Sequence, residues 1–243
     1  MVDRESSGIL QRLVSQWEFL NAEIQRLHGE AQVRPSDPYR ALATVEGTSP
    51  EVASFVLSPV VFKLPERASA VNADLFVVVE GRLSFGRRDF AERRVLATHE
   101  FTTKVAYFRH SFNCLKHVYG AHYDFSVSEL GHPVFHGQIR NYPELAAGIK
   151  THYGIDHEVV DLVRGLLKTV RVPTAQMDVF SLFVQLCADH LLYSQSGPEV
   201  KAAFNSLLQR SEFCQGAAFQ IPRLMTEEAR KCYRAWHWYP HIE

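Results

Sequence analysis

The hydrophobic period changes twice along this chain, and that change limits the fold more than any single motif. Between residues 75 and 140 the chain reads as strands. Leu75–Gly81 is rich in valine, Val95–Tyr107 alternates apolar with polar residues, and His117–Phe125 and Val134–Arg140 complete the set. The separations are too short for crossover helices, so antiparallel hairpins are predicted. On either side of this region apolar residues recur every three or four positions, the period of a helix with one buried face.

The N-terminal pattern predicts a helix over Ser7–Leu27, with Ser6 or Ser7 as cap and Gly29 as stop. Leu10, Leu13, Trp17, Leu20, Ile24 and Leu27 make a seam of nearly three heptads. That seam packs either on its own domain or on a protein partner or second copy. Residues 33–74 hold Pro35, Pro38, Gly47, Pro50, Pro59 and Pro65 and read as loops. Two short strands interrupt them, Val52–Leu57 and Val60–Leu64, which Pro59 confines to edges or keeps separate.

From Pro143 onward five helices are predicted. The first spans Pro143–Tyr153, with Gly154 after it. Asp156 caps a second that presents Val159, Leu162, Val163, Leu166 and Leu167. A third runs from Pro173-Thr174 to Tyr193, and a fourth from Ser196 and Pro198 to Gln209. The fifth starts at Thr226, before the aromatic tail Trp236, Trp238 and Tyr239. Strands followed by a run of helices imply an α+β fold. The expected architecture is an N-terminal helix, a central antiparallel sheet and a C-terminal helical layer over the sheet's aromatic face. One domain over 1–243 is expected, with its helix in 1–32, its sheet in 33–141 and its helical part in 142–243.

With 243 residues and 46% hydrophobic content the chain can bury a core without a disulfide or metal staple. A net charge of −1 excludes wholesale electrostatic binding of nucleic acid but not a local basic patch. Cys114, Cys187, Cys214 and Cys232 form no C-x-x-C pair and are expected as reduced thiols. The charged start Met1-Val2-Asp3-Arg4-Glu5 has no apolar leader, and no stretch is apolar enough to span a bilayer, so a cytoplasmic protein is expected.

The segment most informative about chemistry is the hairpin His122–Arg140. Alternation puts His122 and Asp124 on one face with His136, Gln138 and Arg140, and Tyr123, Phe125, Phe135 and Ile139 on the other. With the hairpin centred near Leu130, Asp124 opposes His136 and His122 opposes Gln138. His132, in the turn, can lean into the same patch. Two imidazoles can act as acid and base, Asp124 can orient one of them, and Arg140 can hold a phosphate. His122, Asp124 and His136 are also a two-histidine, one-carboxylate metal set. A solvated sheet face would put polar residues at these same positions, though more usually Lys, Glu and Thr.

Tyr123-Asp124-Phe125 followed by His132-Pro133-Val134-Phe135-His136 resembles the small bacterial toxins of the TumE type. The resemblance covers about twenty residues. It implies a compact antiparallel sheet and a toxin of a toxin–antitoxin pair. The return strand departs from the pattern, with His136-Gly137-Gln138 where His-x-His is expected.

Other signals are thinner. Asp178, Ser181, Gln185 and Asp189 share a helix face that could meet Arg140 or a histidine, and Arg171-Val172-Pro173-Thr174 could aim Arg171 and a helix start at an anion. Arg82, Arg87, Arg88, Arg93 and Arg94 cluster near an expected hairpin tip, as a solvated loop or an RNA, DNA or phosphate contact. His157 and Asp161 mimic part of a zinc-helix motif, and Asp74, Glu80 and Arg82 faintly resemble restriction-type nucleases without their lysine.

The expectation is a toxin- or defence-type protein acting on RNA or nucleotide phosphates without a metal or other cofactor. His122, Asp124, His136 and Arg140 would be catalytic, and Gln138, His132 and Arg171 would contact substrate. The alternative is a non-catalytic subunit that binds its partner, or a second copy of itself, through the first helix.

Overall fold

Valine-rich alternation builds one long sheet. The computed structural model describes residues 4–27, 29, 31–45, 49–65, 74–125, 135–162, 171–174, 177–192 and 196–210. Its nine strands are β1 (Gln32–Arg34), β2 (Leu42–Val45), β3 (Val52–Pro65), β4 (Asp74–Gly86), β5 (Thr98–Ser111), β6 (Cys114–Phe125), β7 (Phe135–Ile139), β8 (Val159–Asp161) and β9 (Arg171–Pro173). The order is β1-β3-β4-β5-β6-β7-β9, with β2 also on β3 and β8 also on β6. Every pairing is antiparallel except that of β8 with β6.

The helices are α1 (Arg4–Leu27), α2 (Pro38–Ala41), α3 (Arg87–Arg93), α4 (Ala146–Tyr153, after a 3₁₀ turn over Pro143–Leu145), α5 (Val179–His190) and α6 (Pro198–Arg210). The α+β layout therefore stands as expected, and its boundaries move.

Alternation along β4 divides the core in two. Val77 and Val79 belong to the main core, whereas Phe76 and Val78 point to a smaller one on the opposite face. α1, α5 and α6 cover the main face, where Trp17 meets Phe183 edge-on at 5.3 Å between ring centroids. Leu13, Trp17, Leu20, Ile24 and Leu27 of the expected seam are buried there, with Leu10 packed against them. This corrects the partner reading of the first helix: the chain's own core consumes the seam. On the other face, Leu145, Ala146 and Ile149 pack on Val61, Phe76, Val78, Ala106, Phe108 and Leu115.

Several elements differ from the sequence expectation. β3 runs unbroken through Pro59, because the register shifts between Leu57 and Val60 and a bulge tolerates a residue without an N–H. The arginine cluster does lie at a hairpin tip, between β4 and β5, but the tip is helical: Arg87, Arg88 and Arg93 belong to α3, Arg94 caps it, Arg82 stays on β4, and Arg88 bonds Glu92 at 2.8 Å. Val159–Asp161 pairs with β6 instead of opening a helix under an Asp156 cap. Arg171–Pro173 pairs with β7, so the next helix starts only at Val179. The expected features at His132, residues 163–170 and residues 211–243, including Cys214, Cys232 and the tail tryptophans, lie outside the described residues. Among the described residues, no helix is long and apolar enough to cross a membrane.

Candidate functional site

The hairpin register is the one that alternation implies: His122 pairs with Gln138 and Asp124 with His136. Their side chains stand on the α4 face, beyond the small core. Tyr123, Phe125 and Phe135 project into or against the main core. Gly137 belongs to that second face, where an added Cβ would lie 2.8 Å from Tyr123 Cε1, so the ring needs the missing side chain in order to lie over β7.

Asp124 is the hub of the patch. Its Oδ1 lies 2.7 Å from His136 Nδ1, and its Oδ2 lies 3.6 Å from His122 Nε2. The first contact is an ion pair when His136 is protonated, and it does not count as a hydrogen bond of standard geometry. The two imidazoles stand edge to face, 5.8 Å apart. One donor atom from each of the three residues falls within 4.8 Å of the others, which makes this the one group of three potential metal ligands among the described residues. Exposure differs sharply, with side chains 12% exposed for His122, 27% for Asp124 and 1% for His136.

Tyr142 completes the setting of His122. The chain leaves β7 with Arg140 N donating to Gly120 O at 2.9 Å and turns onto the α4 face. There Tyr142 Oη lies 3.2 Å from His122 Nδ1. Burial raises the Tyr142 phenol above its ordinary pKa, against the opposing pull of Lys104 and Arg140. Lys104 stands over the Tyr142 ring, 5.6 Å from its centroid, and bonds Glu80 at 2.7 Å. The hydrogen bond to Glu80 holds the Lys104 ammonium above the usual lysine range.

The remaining expected residues divide. Gln138 is buried and accepts from Arg140 Nη2 at 3.1 Å, while Arg140 itself is exposed at the rim. Arg171 lies on β9 as the register partner of Gln138 rather than in a turn before a helix. His132 lies outside the described residues.

Sequence reasoning missed Tyr142, Lys104 and the place of Arg82. Register rows show that place: Arg82, Thr102, Asp124 and His136 lie side by side across four strands, and Glu80, Lys104, His122 and Gln138 form the neighbouring row. Arg82 is exposed on the same face. Counting those registers was the available signal.

The second polar stripe does not join the patch. Asp178 is buried and caps α5, accepting from Phe180 N and Ser181 N at 3.0 Å each, on the main-core face. Gln185 bonds Asp189 on an exposed face at 2.8 Å. Asp161 pairs with buried His117 at 2.9 Å and accepts from Asn141, while His157 stacks on His110, so the zinc-helix mimic is absent. Asp74 and Glu80 are paired with Lys63 and Lys104. Of the described cysteines, Cys114 is half-buried and Cys187 is buried, with its thiol pushed up to about 12 by burial.

No protein-family model, no curated protein and no solved structure matches the chain.

Proposed function

We propose that this protein is an enzyme acting on the phosphate esters of RNA or nucleotides, with His122, Asp124 and His136 as its reactive centre. The observation that carries this reading is the convergence of two imidazoles on one carboxylate, across a register pair, with Arg140 exposed at the rim. Reaction at phosphorus needs a group that takes a proton from the attacking oxygen and returns one to the leaving oxygen. It also needs cations aimed at the phosphate, where negative charge develops. Arg140 suits that second task, because a guanidinium forks onto two phosphate oxygens. Arg82 adds positive charge on the same face, where Lys104 is already paired with Glu80.

Action on cellular RNA as a toxin- or defence-type protein is the finer form of this proposal, in line with the toxin resemblance. Growth after induced expression tests it, with wild type beside His136→Ala and the folding of both checked by circular dichroism. Arrest that is lost in a folded variant supports the reading and is followed by an RNA cleavage assay. Equal arrest from both proteins removes His136 from the mechanism, and no arrest from either removes the toxin role.

A further inference from the structure

We propose that His122, Asp124 and His136 bind one divalent transition-metal ion. Its binding stands on geometry alone; what it does there rests on the reading of the patch as a phosphoester centre.

Three observations converge. The donor set is two imidazoles and a carboxylate with no thiolate, a set suited to zinc or ferrous iron with coordination positions left open. Ligands at about 2.0–2.2 Å from one ion stand roughly 3.3 Å from each other in a tetrahedral shell. The separations of 2.7 Å, from His136 Nδ1 to Oδ1, and 3.6 Å, from His122 Nε2 to Oδ2, lie on either side of that value at the two oxygens of one carboxylate. One donor atom from each of the three lies within 4.8 Å of the others, so the set closes by at most about 1.5 Å to reach that shell.

Second, Asp124 Oδ1 is enclosed yet makes no hydrogen bond of proper geometry, although His136 Nδ1 is only 2.7 Å away. A buried carboxylate oxygen is stabilised by a cation at that distance, which either a protonated imidazole or a metal ion shared with Nδ1 supplies. Third, Tyr142 Oη sits at His122 Nδ1. Metal-bound imidazoles commonly donate their other ring N–H to such an oxygen, which turns the coordinating nitrogen to the ion. Here that nitrogen is Nε2, and it faces Asp124.

A bound ion would supply acidity to a coordinated water and charge to a phosphate oxygen. Arg140 and Arg82, exposed on the same face, would then hold the remaining phosphate oxygens.

The test uses the full chain. Metal content is measured by mass spectrometry as purified. Chelator-treated protein is then titrated with Zn²⁺ against a chromophoric competitor. The expected result is one equivalent bound, with affinity weakened about tenfold or more in Asp124→Asn and His136→Gln at unchanged circular dichroism. His157→Ala, outside the cluster, is expected to bind like wild type. No stoichiometric uptake by wild type overturns the proposal, as does uptake equal in both cluster variants. Should both variants misfold, Co²⁺ added to wild type decides: absorption bands of a nitrogen–oxygen tetrahedral site support the proposal, and their absence overturns it. RNA or nucleotide turnover that survives complete chelation, without metal uptake, overturns the ion and leaves the phosphoester reading standing. Uptake without any phosphoester turnover overturns that reading and leaves the ion standing.

Discussion

Asp124 and His136 face each other across the β6–β7 register with 2.7 Å between Oδ1 and Nδ1, and His122 reaches the same carboxylate from two residues back along β6. Strand alternation alone makes this possible. Two residues of one strand and one of its neighbour share a face and meet at a single carboxylate.

Replacing Asp124 with Asn keeps the shape and removes the charge on which both rings converge. Phosphoester turnover is expected to fall about a hundredfold or more, the scale on which a positioned acid–base centre acts once the carboxylate that positions it is gone. Initial rates on a phosphodiester panel measure it, and turnover equal to wild type removes Asp124 from the centre.

Tyr142→Phe deletes one oxygen, the one 3.2 Å from His122 Nδ1. Zn²⁺ affinity is expected to drop about 10–100-fold, as for other partners that orient a ligating histidine. Competitive titration reads this, and thermal unfolding should be nearly unmoved because the ring remains to pack.

Trp17 tests where the first helix spends its apolar face. It is buried against Phe183. Trp17→Ala should cost about 3–5 kcal/mol of stability, the range for emptying a large aromatic site. Urea unfolding measures the loss. A change within a few tenths of a kcal/mol would mean that the helix does not pack as described.

His190 gives the fold an acid limit. It packs beside Tyr107, and burial lowers its pKa below the ordinary 6.5, with neighbouring Asp189 opposing. The unfolded chain then binds the proton more readily than the folded one. The contribution to stability is complete above about pH 6.5 and is lost as pH falls through the lower folded value. His190→Gln should flatten this part of the pH dependence. Urea midpoints at about pH 7.5 and about pH 5 for both proteins check it, and identical slopes would refute it.

The sequence made the patch legible because odd and even positions along a strand decide the face, and a hairpin centre decides the opposition. Asp124 and His136 needed nothing more. Tyr142 was invisible to that logic. It lies past the end of β7, and its place depends on how the chain crosses β6 after Arg140. Val159-Val160-Asp161 was misread for a related reason. A short apolar run suits either period, and its parallel pairing with β6 is set by residues more than forty positions away. Pro59 misled through a local rule that holds for regular strands and not at a bulge.

The two cores of unequal size bear on how the patch moves. Tyr142 packs on the small core that α4 helps to form and also touches His122. Small cores open at lower free energy than large ones, so amide exchange in α4 should be faster than in β4 or β5. An opening that moved Tyr142 away would free the His122 ring to turn while the main sheet stayed closed. Substrate or ion that holds His122 in place would, by the same linkage, slow exchange in a helix it never touches.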